Sequence, residues 1–91
     1  MSVEVHLPAV LRRFTGGEAT VYAEGSTVGQ VIKDLEAKYP GLGEQLVADG
    51  DIHRFVNIYV NDEDIRYLGK LDAPVRDNDV ISILPAVAGG R

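Results

Sequence analysis

The chain has 91 residues and no cysteine, and its 14 acidic and nine basic side chains give a formal net charge of −5. One domain is expected at that length, with a core that needs no staples. A disulfide framework, a thiolate zinc site and a cysteine nucleophile are excluded. The acidic balance argues against nonspecific binding to nucleic acid, because phosphates repel it. It is accounted for by solubility alone, and it permits a basic protein partner. No apolar run approaches the roughly 18 residues that span a bilayer. The opening MSVEVHLPAVLRR has charges and a proline where a signal peptide needs an apolar core. A cytoplasmic protein without a membrane or nucleic-acid partner is the expectation.

In chain order, SVEVHL alternates Val3, Val5 and Leu7 against Glu4 and His6, the period of a half-buried strand. ATVYAEG resumes that alternation with Val21 and Ala23, and FTGGEA carries a Gly-Gly turn signal. The two strands form a hairpin whose connection, residues 8–18, reads as a long loop holding Pro8, Arg12 and Arg13. The period then changes. Val28, Val31, Ile32, Leu35 and Tyr39 fall on one helical face. Thr27 and Gln30 have capping-box spacing at its start, with Ser26 as a rival cap. Pro40-Gly41 stops the helix. Gly29, in the first turn, leaves room for a strand to approach closely.

LGEQLVADGD predicts a short helical turn around Leu42, Leu46 and Val47. HRFVNIYVNDEDI is the clearest strand. Val56, Ile58 and Val60 share one face, while Phe55, Asn57 and Tyr59 share the other. NDED reads as a turn, after which Ile65 pairs briefly with Tyr67 or Leu68. A tight turn at DND lets Asn78 adopt positive φ. The closing strand DVISILP sets Ile81 and Ile83 inward and Val80, Ser82 and Leu84 outward. The order β-β-α-β-(β)-β predicts an α+β roll, a mixed sheet of about four to five strands over one main helix. Val31, Ile32, Leu35, Val56, Ile58, Ile81 and Ile83 are its expected core.

An internal active site is not expected. His6 lies mid-strand on the polar face, and His53 begins a strand; lone histidines of that kind are surface residues far more often than sites. The carboxylates of DGD (49–51) and DEDI (62–65) lack calcium-loop spacing and read as solvated turns. GKL (69–71) lacks the glycine pattern and hydroxyl of a phosphate loop, and Gly16-Gly17 matches no dinucleotide fingerprint.

The C-terminal segment carries more. In SILPAVAGGR, an apolar strand ends at Pro85 and small residues lead to Gly89-Gly90 and Arg91. Residues 1–85 are expected to form the domain and 86–91 an extended tail. Six residues past Pro85 reach roughly 20 Å at about 3.3 Å each. Glycines without Cβ thread a narrow groove. A glycine carboxylate is unhindered, so an enzyme can activate it with ATP and a nucleophile can reach its acyl carbon.

DNDVISILPAVAGG resembles the ending of the ubiquitin-like sulfur carriers of the MoaD/ThiS group. HRFVNIYVNDEDIR and GSTVGQVIKDLEAKYPG resemble the group's central strand and helix. Within the group the chain looks closest to the CysO-type carriers that serve cysteine synthesis. The resemblance covers essentially the whole chain and implies a β-grasp (ubiquitin-like) fold. It also implies that Gly90 is adenylated by an E1-like enzyme of the MoeB/ThiF type and becomes a thiocarboxylate. That group then gives its sulfur to an acceptor enzyme, cysteine synthase-like or other. Gly89, Ala88 and Val87 would occupy the partner's channel. The chain itself would be a protein cosubstrate without its own active site, binding no cofactor, with ATP used by the activating partner.

Two positions depart from the group's pattern. Asn78 stands where a glycine is usual, which affects a turn and not the chemistry. Arg91 leaves Gly90 in a peptide bond. It is a precursor residue removed by a JAMM-type metalloprotease, an expression remnant, or a sign that the chain is no carrier. Rival readings with the same fold are the small subunit of molybdopterin synthase, a ubiquitin-like modifier joined to lysines, and a plain interaction domain. Exposed Phe55, Tyr59, Val80 and Leu84 are expected to form an apolar docking patch beside the tail, unless the loops at 8–18 or 43–53 cover part of it. Arg54 and Arg66 flank that patch, where they serve solubility or orient acidic groups on a partner.

Overall fold

The computed structural model describes residues 2–86. Seven strands are present among them: β1 (Val3–His6), β2 (Thr20–Ala23), β3 (Val47–Ala48), β4 (Asp51–Ile52), β5 (Val56–Val60), β6 (Glu63–Asp64) and β7 (Val80–Pro85). Two α-helices, α1 (Val28–Lys38) and α2 (Leu42–Leu46), accompany them. Five strands build one mixed sheet in the order β2-β1-β7-β5-β6, and β3 and β4 form a separate hairpin. β7 is parallel to β1 and antiparallel to β5. The expected α+β roll is therefore present, with α1 across one face of the sheet.

Local chemistry explains each boundary. Thr27 caps α1, its hydroxyl accepting from the Gln30 N–H at 3.2 Å. The Gln30 side chain reaches past the cap to the Ser26 N–H at 2.7 Å, so Ser26 is a capped backbone donor rather than the rival cap. Val28, Val31, Ile32 and Leu35 are buried against the sheet. Their partners are Val3, Val5, Val21, Ala23, Val56, Ile58, Val60, Ile81 and Ile83, the inward sets of four strands. All seven expected core residues are buried. At the helix end, Gly41 takes φ +98°, and the Glu36 carboxylate accepts from the Gly41 and Gly43 N–H groups (3.0 and 2.7 Å). Glu36 thereby satisfies two donors that the start of α2 would otherwise leave open.

Four expectations need correction. The connection at 8–18 is not an open loop. Ala9–Thr15 form a 3-10 helix with Leu11 buried, closed by Gly16 at φ +67°. Its signal was the three-residue spacing of Pro8, Leu11 and Phe14, which matches the 3-10 repeat. Val47 leaves α2 and enters β3. Asp49 (φ +56°) and Gly50 (φ +78°) then turn β3 back into β4, so the first two residues of DGD are the two-residue loop of a small hairpin and Asp51 begins β4. Ile65–Tyr67 form a 3-10 turn rather than a strand, and β6 is Glu63–Asp64, paired to Val60 and Tyr59. Finally, the element that comes close to Gly29 is the 3-10 turn Lys70–Asp72, not a strand. A Cβ on Gly29 would lie 3.1 Å from the Leu71 carbonyl oxygen.

The turn before β7 has the expected form, with Asn78 at φ +72°. Asp79 staples it: the carboxylate accepts from the Asn61 amide (3.0 Å) and the Arg76 N–H (2.8 Å). Those two bonds, the Asn61 amide first, hold the Asp79 carboxyl below the usual carboxylate range. The Glu24 N–H and then Lys38 lower Asp34, and Arg66 lowers Asp64. A folded-state pKa below the unfolded value stabilises the fold above the unfolded value, and that contribution is lost as pH falls through the folded one. Unfolding free energy by urea titration should therefore hold steady from neutral pH to about 5 and decline below about 4. Asp79→Asn should flatten that decline, and an unchanged acid profile would contradict the assignment. Leu35→Ala and Ile58→Ala should each cost about 2–5 kcal/mol in the same measurement.

Candidate functional site

The candidate site is the end of β7, where the described chain stops at Ala86. β5 and β7 pair from Val60↔Ile81 to Val56↔Pro85. One further bond extends the ladder, from the Ala86 N–H to the Phe55 carbonyl at 2.8 Å. In antiparallel pairing, bonded and non-bonded residue pairs alternate. Asn61–Val80 and Phe55–Ala86 share backbone bonds, so Pro85 opposite Val56 falls on a non-bonded pair. Its nitrogen faces the β1 side, where the ladder has already ended at His6↔Ser82. A proline therefore fits here at no loss of a ladder bond. The last strand is thus anchored by the core, and the chain emerges from the middle of the sheet's end.

Of the eight residues singled out from the sequence, Val87, Ala88, Gly89 and Gly90 lie outside the described residues. The other four divide. Tyr59, Val80 and Leu84 share the sheet face opposite α1. Tyr59 pairs with Ser82, so Val80 and Leu84 are its two diagonal neighbours on β7. Tyr59 and Val80 are half-buried, and Leu84 is 49% exposed. Phe55 does not join them on β5. It sits in the turn before the strand, 47% exposed, and lines a groove of about 290 Å³ with Pro8, Val10, Leu11, Gln45 and Pro85. Val10, 64% exposed, was not foreseen as a surface residue of the site, because residues 8–18 read as a plain loop.

Phe55 is fixed by its neighbours. His53 Nδ1 accepts the Phe55 N–H at 3.1 Å, and the two rings lie 5.3 Å apart. The Arg54 guanidinium stands over the Phe55 ring, 5.1 Å from its centroid. His53 therefore shapes the turn rather than beginning a strand. Arg66 is also held in place: its Nη2 donates to the Asp64 carboxylate (2.9 Å) and to the Asn57 side-chain oxygen (2.5 Å). Asn57 is the cross-strand partner of Leu84. His6 pairs with Glu4 on the outer face. Among the described residues no three of His, Cys, Asp and Glu converge to hold a metal ion, and no buried side-chain polar atom lacks a partner.

Phe55 and Leu84 project without supporting the core. Phe55→Ala and Leu84→Ala should each change stability by less than about 1 kcal/mol, whereas Ile83→Ala, one position away and buried, should cost about 2–5 kcal/mol. Equal losses at positions 83 and 84 in denaturant titration would show that the strand's parity is reversed.

Comparison with known proteins agrees with this geometry. The ThiS family model matches residues 5–90. The sulfur carrier protein CysO of Mycobacterium tuberculosis is 54% identical over 93 residues, covering 99% of this chain and all of that protein. Small archaeal modifier protein 3 of Haloferax volcanii is 33% identical over 92 residues, with the same coverage. The crystal structure of the Amycolatopsis orientalis BexX/CysO complex superposes with a TM-score of 0.91 at 51% identity, covering 97% of this chain and 99% of that one. A sheet of five strands with a central C-terminal strand, and a family match that runs through both terminal glycines, make this chain a member of the ThiS family of ubiquitin-like proteins.

Proposed function

We propose that the chain is a sulfur carrier whose reactive group is the acyl carbon of Gly90, exposed once Arg91 is removed. The observation that carries this is the family match, which extends through Gly89-Gly90 and stops before Arg91. The identity to a protein named as a sulfur carrier supports it along the whole chain. The fold fits the role. Its last strand is central and core-anchored.

In this role the chain is a protein cosubstrate. The Gly90 carboxylate attacks the α-phosphorus of ATP on an E1-like enzyme, and pyrophosphate leaves. A sulfide-level nucleophile then attacks the acyl carbon, AMP leaves, and a thiocarboxylate remains. Val87, Ala88 and Gly89 lie in the enzyme's channel, where small side chains limit steric conflict. The chain supplies binding and reach, while the partners supply ATP and sulfur. A sulfur-acceptor enzyme takes the group in turn. The similarity to CysO favours cysteine synthesis as the destination, and the similarity to a chain found with BexX supports an acceptor enzyme as a docking partner. Trimming of Arg91 falls to a protease of the JAMM type. Among the described residues no helix is long and apolar enough to cross a membrane.

A second reading, attachment to lysines as a modifier, is favoured by similarity to proteins named small archaeal modifier proteins. The two readings share the adenylation step and part at the nucleophile. The test is ATP–pyrophosphate exchange with the host's E1-like enzyme, using the chain through Arg91 and a chain ending at Gly90. Exchange should require the Gly90 ending. Equal exchange with both forms, and no trimming of Arg91, would count against the proposal.

A further inference from the structure

The path from Ala86 to Gly90 is four residues, and four residues span at most about 14 Å. Any enzyme that acts on the Gly90 acyl carbon must therefore bring its active site within about that distance of Ala86. Its surface then covers the residues around Ala86, whatever else it touches. Those residues are unlike the rest of the molecule. The chain is acidic overall, at −5. Yet one cleft of about 230 Å³ beside the Phe55 turn gathers Arg54, Arg66, Lys70 and His53 around Val56, with Asp51 as its one carboxylate lining residue.

The state of each cation matters. Arg66 is committed to Asp64 and Asn57 and so holds a fixed position. Lys70 lies 3.6 Å from Asp51, both exposed, which is a loose pair. Arg54 makes no ion pair among the described residues and lies against Phe55. Phe55 lines the apolar groove with Val10 and Pro85, and its chain neighbours Arg54 and Val56 line the cationic cleft. The tail root thus has an aromatic ridge in an apolar groove next to a cationic cleft.

We infer that this ridge is a charge-selective docking surface for the activating enzyme, which presents an apolar side chain to the groove and carboxylates to Arg54 and Lys70. This rests on the carrier role proposed above and names the partner's chemistry at the same site. The net charge alone permitted a basic partner. With Arg66 paired to Asp64 and Lys70 loosely to Asp51, Arg54 leaves the cleft with a net positive charge where the tail requires contact. Complementary charge of this kind acts mainly on encounter and partner choice, and it is screened by salt.

The test uses the chain ending at Gly90 and the host's purified E1-like enzyme, with binding measured by calorimetry and adenylation by pyrophosphate exchange. The variants are Arg54→Glu with Lys70→Glu, and Lys33→Glu with Lys38→Glu as a control. The control makes the same change in net charge on the exposed side of α1. Circular dichroism melts check that each variant folds. The double variant at the cleft should weaken binding about tenfold or more at low salt, with the difference shrinking as salt rises. Its exchange rate at saturating carrier should be unchanged, and the α1 control should stay within about twofold of the parent. Equal effects at the cleft and at α1, or none at either, would overturn the docking surface even if adenylation proceeds. Charge-selective binding without adenylation would support the surface and overturn the carrier role. No binding by the parent chain would overturn both.

Discussion

The pairing of β7 between β1 and β5 is the constraint on which the rest depends. The last strand of the chain lies in the middle of the sheet, parallel to the first strand on one side and antiparallel to β5 on the other. Its alternation puts Ile81 and Ile83 into the core and turns Val80, Ser82 and Leu84 to the open face. Because β5 reaches further than β1 along this strand, the end of β7 keeps one neighbour and loses the other. A proline fits there, and Ala86 is still tied to Phe55. The fold therefore delivers the C-terminal segment from a rigid, central position rather than from a fraying edge.

Stability and interaction are carried by separate residues. The inward sets of four strands and the stripe of α1 hold the fold together, while half-exposed Leu84, Phe55 and Val10 project from its end. Turns that hold the elements in register use carboxylates as backbone acceptors. Asp79 closes the turn before β7, Glu36 joins α1 to α2, and Asp64 holds Arg66 beside Asn57. A good part of the acidic character thus has a structural use, and the mean charge says little about the tail root. There the cations Arg54, Arg66 and Lys70 gather, although they lie far apart in sequence.

Long-period patterns were legible in the sequence. The α1 stripe, the inward sets of β5 and β7 and the positive φ of Asn78 all follow from residue spacing and type, because burial on one face leaves a period. Short elements were harder. A 3-10 helix at Ala9–Thr15 shows only a repeat of three, and the hairpin of β3 and β4 has two residues per strand, too few for any period. Phe55 illustrates the limit at a site. Parity placed it beside Tyr59, but a strand's parity holds only inside the strand, and the turn at His53–Phe55 sends its ring to the groove instead. The cationic cleft was legible in part. Arg54 and Arg66 were placed beside the patch, whereas Lys70 joins them only because the 3-10 turn Lys70–Asp72 packs on β4 and on the turn Ile65–Tyr67.

The carrier role stands or falls on the chemistry of one acyl carbon. Intact-mass and C-terminal peptide analysis of the protein recovered from its host reads that carbon directly. A sulfur carrier should show a population ending at Gly90, part of it heavier by the replacement of one oxygen with sulfur. A chain that keeps Arg91 in every molecule, under conditions where the host is making its sulfur metabolites, would contradict it.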